Sequence, residues 1–229
     1  MWPPLFGLQA QRERLVKKMP AGALQDFYRC PFPESRTPLQ ELSFVVLDFE
    51  TTGLDLQRDH IISIGLLDIE KLGIKLASAW HQIIRTDKAV PQASAVIHGI
   101  TDDMLADGRS LQQVLAVLLK RLAGKVLIAH HASIELGHLN RLCQHYYQQP
   151  FMMPVIDTQI LAQRMLKPQR ESLRTGDLRL FNLRKRFNLP AYKAHNALSD
   201  ALATAELFLV LLNDLYPDQK CRLKDLLTG

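Results

Sequence analysis

The pattern of apolar and polar residues changes along the chain from strand-like runs to helical stripes. Between residues 42 and 84, three apolar runs are separated by short polar or glycine-containing turns. This arrangement is typical of antiparallel neighbouring strands. It predicts strands at 42–50, 60–69 and 74–84, which together would form a three-stranded meander.

After residue 84, helical patterns alternate with two short apolar runs, at 126–129 and 155–157, that predict buried strands. Shorter helical pieces are expected between residues 94 and 105, and Ser133 is the expected N-cap of one of the longer helices. We predict the longer helices at 110–123, 133–147, 158–166, 178–187 and 197–215. A meander followed by alternating helices and strands predicts an α/β fold, with a mixed five-stranded sheet flanked by helices on both faces.

The first 41 residues differ in pattern from the rest of the chain. Apolar residues at helical spacing predict a helix near the start, and Pro31, Pro33 and Pro38 predict a loop or linker after it. A length of 229 residues suits one main hydrophobic core. We therefore divide the chain into an N-terminal helical extension and linker (1–41), a main domain (42–215) and a C-terminal tail (216–229).

Composition indicates a globular protein of a reducing compartment. Hydrophobic residues make up 47% and charged residues 22% of the chain, and the net charge of +5 fits a polyanionic partner without establishing one. Cys30, Cys143 and Cys221 are far apart, so neither a disulfide framework nor a thiolate zinc site is predicted. The N-terminal residues lack the order of a secretory signal, and no run is long enough to span a bilayer. We expect a cytoplasmic protein with no membrane partner.

The first predicted strand ends in two acids, within the sequence FVVLDFETTG at 44–53. Alternate residues of a strand share a face, so Asp48 and Glu50 would point the same way, roughly 7 Å apart. The residues before them are apolar on both faces, which indicates a central strand where unpaired carboxylates are unfavourable. Acids that reach water at a strand end are one explanation. A cation site is the other, and it requires further acids.

Further acids occur at the starts of two predicted helices. Glu135 and Asp200 each lie on the apolar stripe of their helix, although each alone is explained by the attraction of a first-turn acid to the helix dipole. His195, alone, is more simply a surface histidine. Within one helix it would point about 140° away from Asp200. It could share a target with Asp200 only from the loop before the helix, with Asn196 as the N-cap.

Together, the four carboxylates predict a metal site. Each stands at a strand end or a helix start and points inward, so the four would converge at one edge of the sheet. Such a cluster is tolerable only around cations. Oxygen ligands without cysteine favour Mg²⁺ or Mn²⁺.

Three motifs resemble the DEDDh family of 3′→5′ exonucleases, which includes the proofreading epsilon subunits of bacterial replicative polymerases and ribonuclease T. They are DFETTG at 48–53, HHASIE at 130–135 and HNALSD at 195–200, and they occur in the order of that family. The segment HGIT at 98–101 also resembles a segment of the epsilon-like branch. The resemblance covers roughly residues 42–215 and implies a ribonuclease H-like fold.

Carried over residue by residue, the resemblance implies a two-metal exonuclease that uses two Mg²⁺ or Mn²⁺ ions. Five residues would form the catalytic centre, namely the metal ligands Asp48, Glu50, Glu135 and Asp200 and the general base His195. A second group would contact the terminal nucleotide, namely Thr51, Thr52, Gly53, Leu54 and His98. The implied partners are single-stranded 3′ ends of DNA or RNA, and the implied products are nucleoside 5′-monophosphates. Proofreading and DNA repair are the roles that such an enzyme would serve.

The chain departs from the family pattern at two positions. Glu135 stands where the family has Asp, and its extra methylene extends the carboxylate by about 1.5 Å. Because Mg²⁺ demands near-ideal octahedral geometry, a displaced ligand would weaken one ion or favour Mn²⁺, and we expect activity to survive. His131 replaces the usual Asn, which leaves open whether any hydrogen bond of that Asn is made.

The most basic stretch of the chain spans residues 164–186. Its cationic residues are Arg164, Lys167, Arg170, Arg174, Arg179, Arg184, Lys185 and Arg186. Both a solvated face and a track for the nucleic-acid backbone are consistent with such a run. Its position between the last predicted strand and the helix that carries Asp200 favours the track.

Two other functions compete with the exonuclease. DFETT resembles the nucleophile motif of haloacid dehalogenase-like phosphatases, but in such an enzyme the later His-x4-Asp would have no role. A catalytically impaired nucleic-acid-binding or scaffold module would keep the fold without turnover, yet binding alone needs no base such as His195. The sequence leaves open whether the protein is a homodimer, and the short stretch after residue 215 favours a stand-alone enzyme over a polymerase subunit.

Overall fold

Five strands form one mixed sheet, with the first strand of the chain in its centre. The computed structural model describes residues 5–53, 55–86, 98–166, 174, 176–218 and 220–227. The strands are β1 (Ser43–Thr51), β2 (Ile61–Glu70), β3 (Gly73–Ile83), β4 (Val126–Ala129) and β5 (Val155–Asp157), in the order β3-β2-β1-β4-β5 across the sheet. β1, β2 and β3 are antiparallel neighbours, whereas β4 pairs in parallel with both β1 and β5.

Helices cover both faces of this sheet. In the described residues they are α1 (Leu5–Lys18), α2 (Ala23–Arg29), α3 (Asp102–Ala106), α4 (Leu111–Leu122), α5 (Ser133–Tyr147), α6 (Thr158–Met165), α7 (Leu180–Arg186), α8 (Ala197–Leu215) and α9 (Leu223–Leu226). One face packs against α1, α2, α4 and α5, and the other against α6, α7, α8 and α9. The predicted α/β fold with a mixed five-stranded sheet is confirmed. Within the described residues, no helix has both the length and the apolar character needed to cross a membrane.

The side chains of β1 alternate between the two faces of the sheet, and this alternation decides which face carries the acids. Val45 and Leu47 belong to the core on the α5 side, whereas Phe44 and Val46 belong to the core on the α8 side. The ring of Phe44 lies 5.6 Å from that of Phe208 on α8, measured between ring centroids. Because alternate strand residues share a face, the two even-numbered acids of β1 lie on the side that α8 covers.

The predicted element boundaries agree closely with those observed. β4, β5, α5 and α8 have the predicted bounds, and the other three strands are displaced by one residue. The prediction that Ser133 caps α5 was wrong, because Ala132 is the N-cap and makes no side-chain hydrogen bond. Of the short helical pieces expected between 94 and 105, residues 94–97 lie outside the described residues, and α3 begins at Asp102.

The N-terminal helices pack into the core of the predicted main domain. Phe27 is buried with its ring centroid 5.3 Å from that of Phe151. The hydroxyl of Tyr28 donates to the carbonyl of Pro150 at 2.9 Å and accepts from the main-chain N–H of Met152 at 2.9 Å. The predicted N-terminal helix is therefore confirmed, whereas the domain division at residue 41 stays a prediction.

Candidate active site

Three carboxylates meet at the carboxyl end of β1. Asp48 and Glu50 come from β1 and Asp200 from the first turn of α8, and one oxygen of each lies within 4.8 Å of the others. Glu50 is only 8% exposed and Asp200 only 6%. The fold thus brings together three of the four predicted metal ligands, although they are as far as 152 positions apart in the chain.

A glycine on β2 lets α8 approach these acids. Gly65 pairs with Asp48 in the register of β1 and β2. A Cβ atom at Gly65 would lie 2.1 Å from the carbonyl carbon of Ala197, at the start of α8. Any side chain at this position would therefore displace the helix. Sequence reasoning missed Gly65, although a glycine inside an apolar strand is a signal of close backbone approach.

The loop before α8 places His195 beside Asp200. The side-chain oxygen of Asn196 accepts a hydrogen bond from the main-chain N–H of Ser199 at 3.1 Å, which caps the helix. His195 has a φ of +63°, and its own main-chain N–H donates to Oδ2 of Asp200 at 2.9 Å. The predicted loop position of His195 and the predicted cap are both confirmed. The residue itself is exposed.

Glu135, the fourth predicted ligand, stands at the start of α5 next to the cluster. The residue is only 3% exposed. Burial first, and then the charge of Glu135, raise the pKa of Asp48, so these two carboxylates are electrostatic neighbours. Glu135 does not belong to the set of oxygens within 4.8 Å of one another. The structure therefore places it beside the three other acids and not within the same tight set.

Asp157, at the end of β5, holds the turn from which α5 begins. Its two oxygens accept hydrogen bonds from the main-chain N–H groups of His131 and Ala132, at 3.1 and 2.9 Å. The same carboxylate caps α6, with Gln159 N at 2.8 Å and Ile160 N at 3.4 Å. One side chain thus orients both helices, including the first turn that carries the fourth acid. Sequence reasoning missed this residue because its partners lie in the turn after a different strand, β4.

His131 replaces the asparagine of the family pattern in a left-handed backbone conformation, with a φ of +66°. Asparagine is among the residues that adopt this region most readily. The ring Nδ1 of His131 lies 2.8 Å from Oε1 of Gln159. Its hydrogen bond is therefore made to the first turn of α6.

Burial makes the clustered carboxyl groups weak acids. It is the largest cause that raises the pKa of Glu50 to about 7, of Asp200 to about 6 and of Glu135 to about 8. The pKa of Asp48 is raised well above its ordinary value by burial and by the charges of the other three groups. Holding all four groups ionised at neutral pH therefore requires added positive charge.

The unpaired oxygens of the cluster fit a divalent metal. Among the side chains of the described residues, Oε2 of Glu135 and Oδ1 of Asp200 are buried without a hydrogen-bond partner. Buried polar atoms of this kind are uncommon in proteins and call for an explanation. Hard divalent cations bind such carboxylate oxygens. The residues present thus suit Mg²⁺ or Mn²⁺.

The Thr-Thr-Gly turn after β1 is braced by Asp59. Oγ1 of Thr52 donates to Oδ1 of Asp59 at 2.9 Å, and Oγ1 of Thr51 donates to the carbonyl of Gly53 at 2.7 Å. A Cβ atom at Gly53 would lie 2.5 Å from Oδ2 of Asp59 and would displace that carboxylate. Sequence reasoning missed Asp59. The fourth predicted contact in this segment, Leu54, lies outside the described residues.

A cavity of about 220 Å³ opens beside the acids, and its wall includes Glu50, His98, Lys193 and His195. Nδ1 of His98 accepts a hydrogen bond from the main-chain N–H of Ile100 at 3.1 Å, and its Nε2 is buried without a partner. Among the described residues of the wall, Lys193 alone carries a permanent positive charge. The predicted nucleotide contact His98 therefore lies in the same cavity as the predicted base.

The basic stretch does not form one exposed surface. Arg184 is only 2% exposed, and its Nη2 pairs with Oε2 of Glu206 at 2.7 Å. Arg164 donates to carbonyl oxygens near the C-terminus. Residues 185–186 are exposed, whereas 167–173 lie outside the described residues. Assigning Arg184 to a nucleic-acid track was wrong, because its guanidinium is buried and paired.

The family of the chain follows from its sequence match. Residues 45–208, most of the chain, match the family model RNase_T, described as an exonuclease. The chain belongs to this exonuclease family. All the acids of the cluster, Glu135 and His195 lie inside the matched range. The predicted enzyme class, an exonuclease, is therefore confirmed.

This protein is similar in sequence to a DNA polymerase III and to a subunit of one. It is 35% identical over 206 residues to a PolC-type DNA polymerase III of Thermotoga maritima, a match that covers 90% of this chain and 14% of that protein. It is 32% identical over 173 residues to the DNA polymerase III subunit epsilon of Treponema pallidum, covering 76% of this chain and 78% of that subunit. The chain thus spans a small part of the first relative and most of the second.

A solved structure shares the fold of this protein. The nuclease domain of 3′hExo, a DEDDh family member bound to rAMP, matches with a TM-score of 0.67 and 16% identity. The match covers 84% of this chain and 99% of that domain. The predicted ribonuclease H-like fold is confirmed. With the family match and the epsilon relative, so is the prediction of a DEDDh-type 3′→5′ exonuclease.

Proposed function

We propose that the protein removes nucleotides one at a time from the 3′ end of single-stranded DNA or RNA, with the help of two divalent metal ions. The products would be nucleoside 5′-monophosphates. The observation that carries the proposal is the meeting of Asp48, Glu50 and Asp200 at one edge of the sheet, with Glu135 and His195 beside them. Acids from one strand and two helices would have no structural reason to be buried together without cations.

The two ions, Mg²⁺ or Mn²⁺, would be held by four carboxylates, those of Asp48, Glu50, Glu135 and Asp200. The two unpaired oxygens of Glu135 and Asp200 support this assignment, because each is buried and has no other partner among the described residues. When bound, such ions supply an activated water and charge stabilisation for the leaving oxygen of an in-line displacement.

His195 would accept the proton of the attacking water. Its side chain is exposed at the cavity, where it can reach a bound substrate. The hydrogen bond from its main-chain N–H to Asp200 ties its position to that of the acids. Histidine is the side chain that most often acts as a general base near neutral pH.

The terminal nucleotide would occupy the cavity next to Glu50. His98 would contact it from the wall, where its Nε2 has no partner among the described residues. Thr51 and Thr52 directly follow Glu50, and their turn would contact the same nucleotide. Lys193 would pair with a phosphate of the substrate, because it places a positive charge on the wall of this cavity.

Both DNA and RNA belong in the test of this proposal. The two polymerase relatives act in DNA synthesis by name, whereas the structural neighbour was solved with a ribonucleotide. A 2′-hydroxyl is what distinguishes the two substrates at a given site. A cytoplasmic location, a homodimeric state, a stand-alone role and a part in proofreading or repair stay predictions.

The deciding experiment uses 5′-labelled single-stranded DNA and RNA oligonucleotides. Wild type and His195→Ala would be incubated with each in Mg²⁺, Mn²⁺ or a chelator, and the products separated on a sequencing gel. We expect wild type to produce ladders with one-nucleotide steps in either metal and none in the chelator. We expect His195→Ala, purified in parallel, to be slower by at least about 100-fold.

Two outcomes would contradict the proposal. Equal rates for wild type and His195→Ala would exclude His195 as the general base and indicate that a contaminating nuclease produces the ladders. Metal-dependent binding of the oligonucleotides without any shortening would favour the impaired nucleic-acid-binding module instead.

A further inference from the structure

Arg184 on α7 is a buried cation that the proposed chemistry does not use. It is only 2% exposed, and charged side chains are rarely buried to this extent unless they are paired. It lies in the last turn of α7, and the loop that follows, at 187–196, connects α7 to α8 and carries His195. Its partners show what it holds together.

The guanidinium of Arg184 connects α7, the loop and α8. Nη1 donates to the carbonyl of Ala203 on α8 at 2.7 Å. Nη2 donates to Oε2 of Glu206 on α8 at 2.7 Å and to the carbonyl of Pro190 in the loop at 2.7 Å. The guanidinium carbon also lies 4.6 Å from the ring centroid of Tyr192. A cation over an aromatic face is attracted to it, most strongly where water is excluded.

Tyr192 closes this arrangement from the loop. Its hydroxyl donates to Oε1 of Glu206 at 2.7 Å. Glu206 therefore accepts a hydrogen bond from Tyr192 on one carboxylate oxygen and from Arg184 on the other. The bond to Glu206 is the largest cause that raises the pKa of Tyr192, which keeps the hydroxyl protonated as a donor. We call Arg184, Tyr192 and Glu206 the loop bracket.

The loop bracket acts on the segment that carries the proposed base. Tyr192 is three positions before His195, and Glu206 lies on the same helix as Asp200. The far end of the loop is fixed by the hydrogen bond from His195 N to Asp200. Between these two anchors the loop has little freedom to carry the imidazole away from the acids.

We propose that Arg184, Tyr192 and Glu206 are positioning residues that hold His195 at its working distance from the carboxylates. This inference rests on the proposed function. A displacement of about 1 Å at a reacting group can cost on the order of 100-fold in rate. Loss of the bracket would therefore lower kcat by more than it raises KM, because the bracket itself does not line the cavity and, of its loop, Lys193 is the residue proposed to bind the substrate backbone.

The mildest test is Tyr192→Phe, which removes one hydroxyl and keeps the ring over Arg184. The matched control is Tyr216→Phe, which removes a hydroxyl at the other end of α8, where the oxygen lies 3.5 Å from the carbonyl of Asp225. We expect Tyr192→Phe to lower kcat on a single-stranded oligonucleotide by about tenfold with KM within about twofold of wild type, and the control to change neither.

A double-mutant cycle shows whether the effect passes through His195. Tyr192→Phe would be introduced into wild type and into His195→Ala, and the two changes in kcat compared. We expect the loss to disappear in the His195→Ala background, because a base that is absent cannot be misplaced. An equal loss in both backgrounds, or no loss in wild type, would overturn the inference.

Hydrogen exchange supplies a readout that does not depend on turnover. In Tyr192→Phe we expect faster exchange of main-chain amides within 187–196 and no change in the β1 amides, whereas Tyr216→Phe leaves both unchanged. If exchange in the loop were unaltered, the bracket would not order the loop. If the loop loosened while wild type and His195→Ala had equal rates, the role of His195 as the base would fail, and only the ordering of the loop by the bracket would stand.

Discussion

The main chain of Ala197 passes so close to Gly65 that a single methyl group on the glycine would lie 2.1 Å from the Ala197 carbonyl carbon. Gly65 faces Asp48 across the strand pair, and Ala197 begins the helix that carries Asp200. The absence of a side chain at one position on β2 is therefore what allows acids from β1 and α8 to meet.

Gly65→Ala should damage both stability and catalysis. The added methyl would push the start of α8 away from β2, which separates Asp200 from Asp48 and strains the core. We expect a lower melting temperature in calorimetry and a fall in kcat of at least about tenfold on a single-stranded oligonucleotide.

Gly73→Ala is the control for this substitution. Gly73 opens β3, and the nearest atom to an added Cβ there is the carbonyl oxygen of Glu70 at 3.5 Å, an ordinary contact. Its kcat should match that of wild type. If the two alanine variants behaved alike, the close approach at Gly65 would not be what positions α8.

The acid cluster should make the stability of the metal-free protein fall as pH rises. The pKa values of Glu50, Asp200 and Glu135 in the folded protein are about 7, 6 and 8. In the unfolded chain carboxyl groups titrate near pH 4. The unfolded chain therefore loses these protons first, and stability decreases from about pH 4 until the folded groups have titrated at about pH 8.

Thermal melts in a chelator at several pH values test this dependence. A divalent ion should restore stability at the alkaline end, because it binds the ionised carboxylates of the folded state and not the unfolded chain. We expect the melting temperature at pH 8 to rise on adding Mn²⁺, and to rise much less in Asp200→Asn. A melting temperature that is flat with pH in the chelator would contradict the assignment of raised pKa values.

Glu135 should be a metal ligand despite its added length. Glu135→Gln keeps the size but removes the charge, and we expect it to weaken Mn²⁺ binding by at least about tenfold, measured by calorimetric titration. Glu135→Asp withdraws the carboxylate by about 1.5 Å and should change the ratio of rates in Mg²⁺ and Mn²⁺. A rate of Glu135→Ala equal to wild type under saturating Mg²⁺ would exclude this residue as a ligand.

Lys193 should contribute to substrate binding through its charge. Each phosphate contact to a single strand contributes about −0.7 to the slope of log affinity against log salt. We expect Lys193→Gln to weaken oligonucleotide binding and to reduce that slope by about this amount, with kcat at saturation little changed. Lys224→Gln, at an exposed position of α9, is the matched control. Equal salt dependence in the two variants would show that Lys193 does not contact the backbone.

Sequence periodicity was sufficient to predict the residues that face the site. The alternation of β1 fixes Asp48 and Glu50 on one face, and helical spacing puts Asp200 on the inward stripe of α8. The angle between His195 and Asp200 in a helix then required His195 to precede the helix, where it is found. These inferences succeeded because each depends only on local geometry.

The supporting residues were missed because their roles depend on contacts between distant segments. Arg184 belongs to a run of basic residues, and nothing within that run distinguishes it from its exposed neighbours. It is buried because it contacts Glu206 and Tyr192, which come after α7 in the chain. Gly65 gave a signal within its strand, but the helix that needs the space begins more than a hundred residues later. Ser133 failed as a cap because the helix already begins at it, one residue after the N-cap Ala132, and the turn before the helix is held by Asp157 on β5.

The bonding of Asp157 separates the shape of the first turn of α5 from the identity of the acid in it. Four main-chain amides converge on this one carboxylate, and none of them belongs to residue 135. The side chain at 135 could therefore be exchanged to change the metal preference while the backbone of the first turn of α5 keeps its conformation. A substitution at 157 would instead remove hydrogen bonds that orient two helices at once. Selection for a different metal can therefore change residue 135 freely, whereas residue 157 is constrained by the fold.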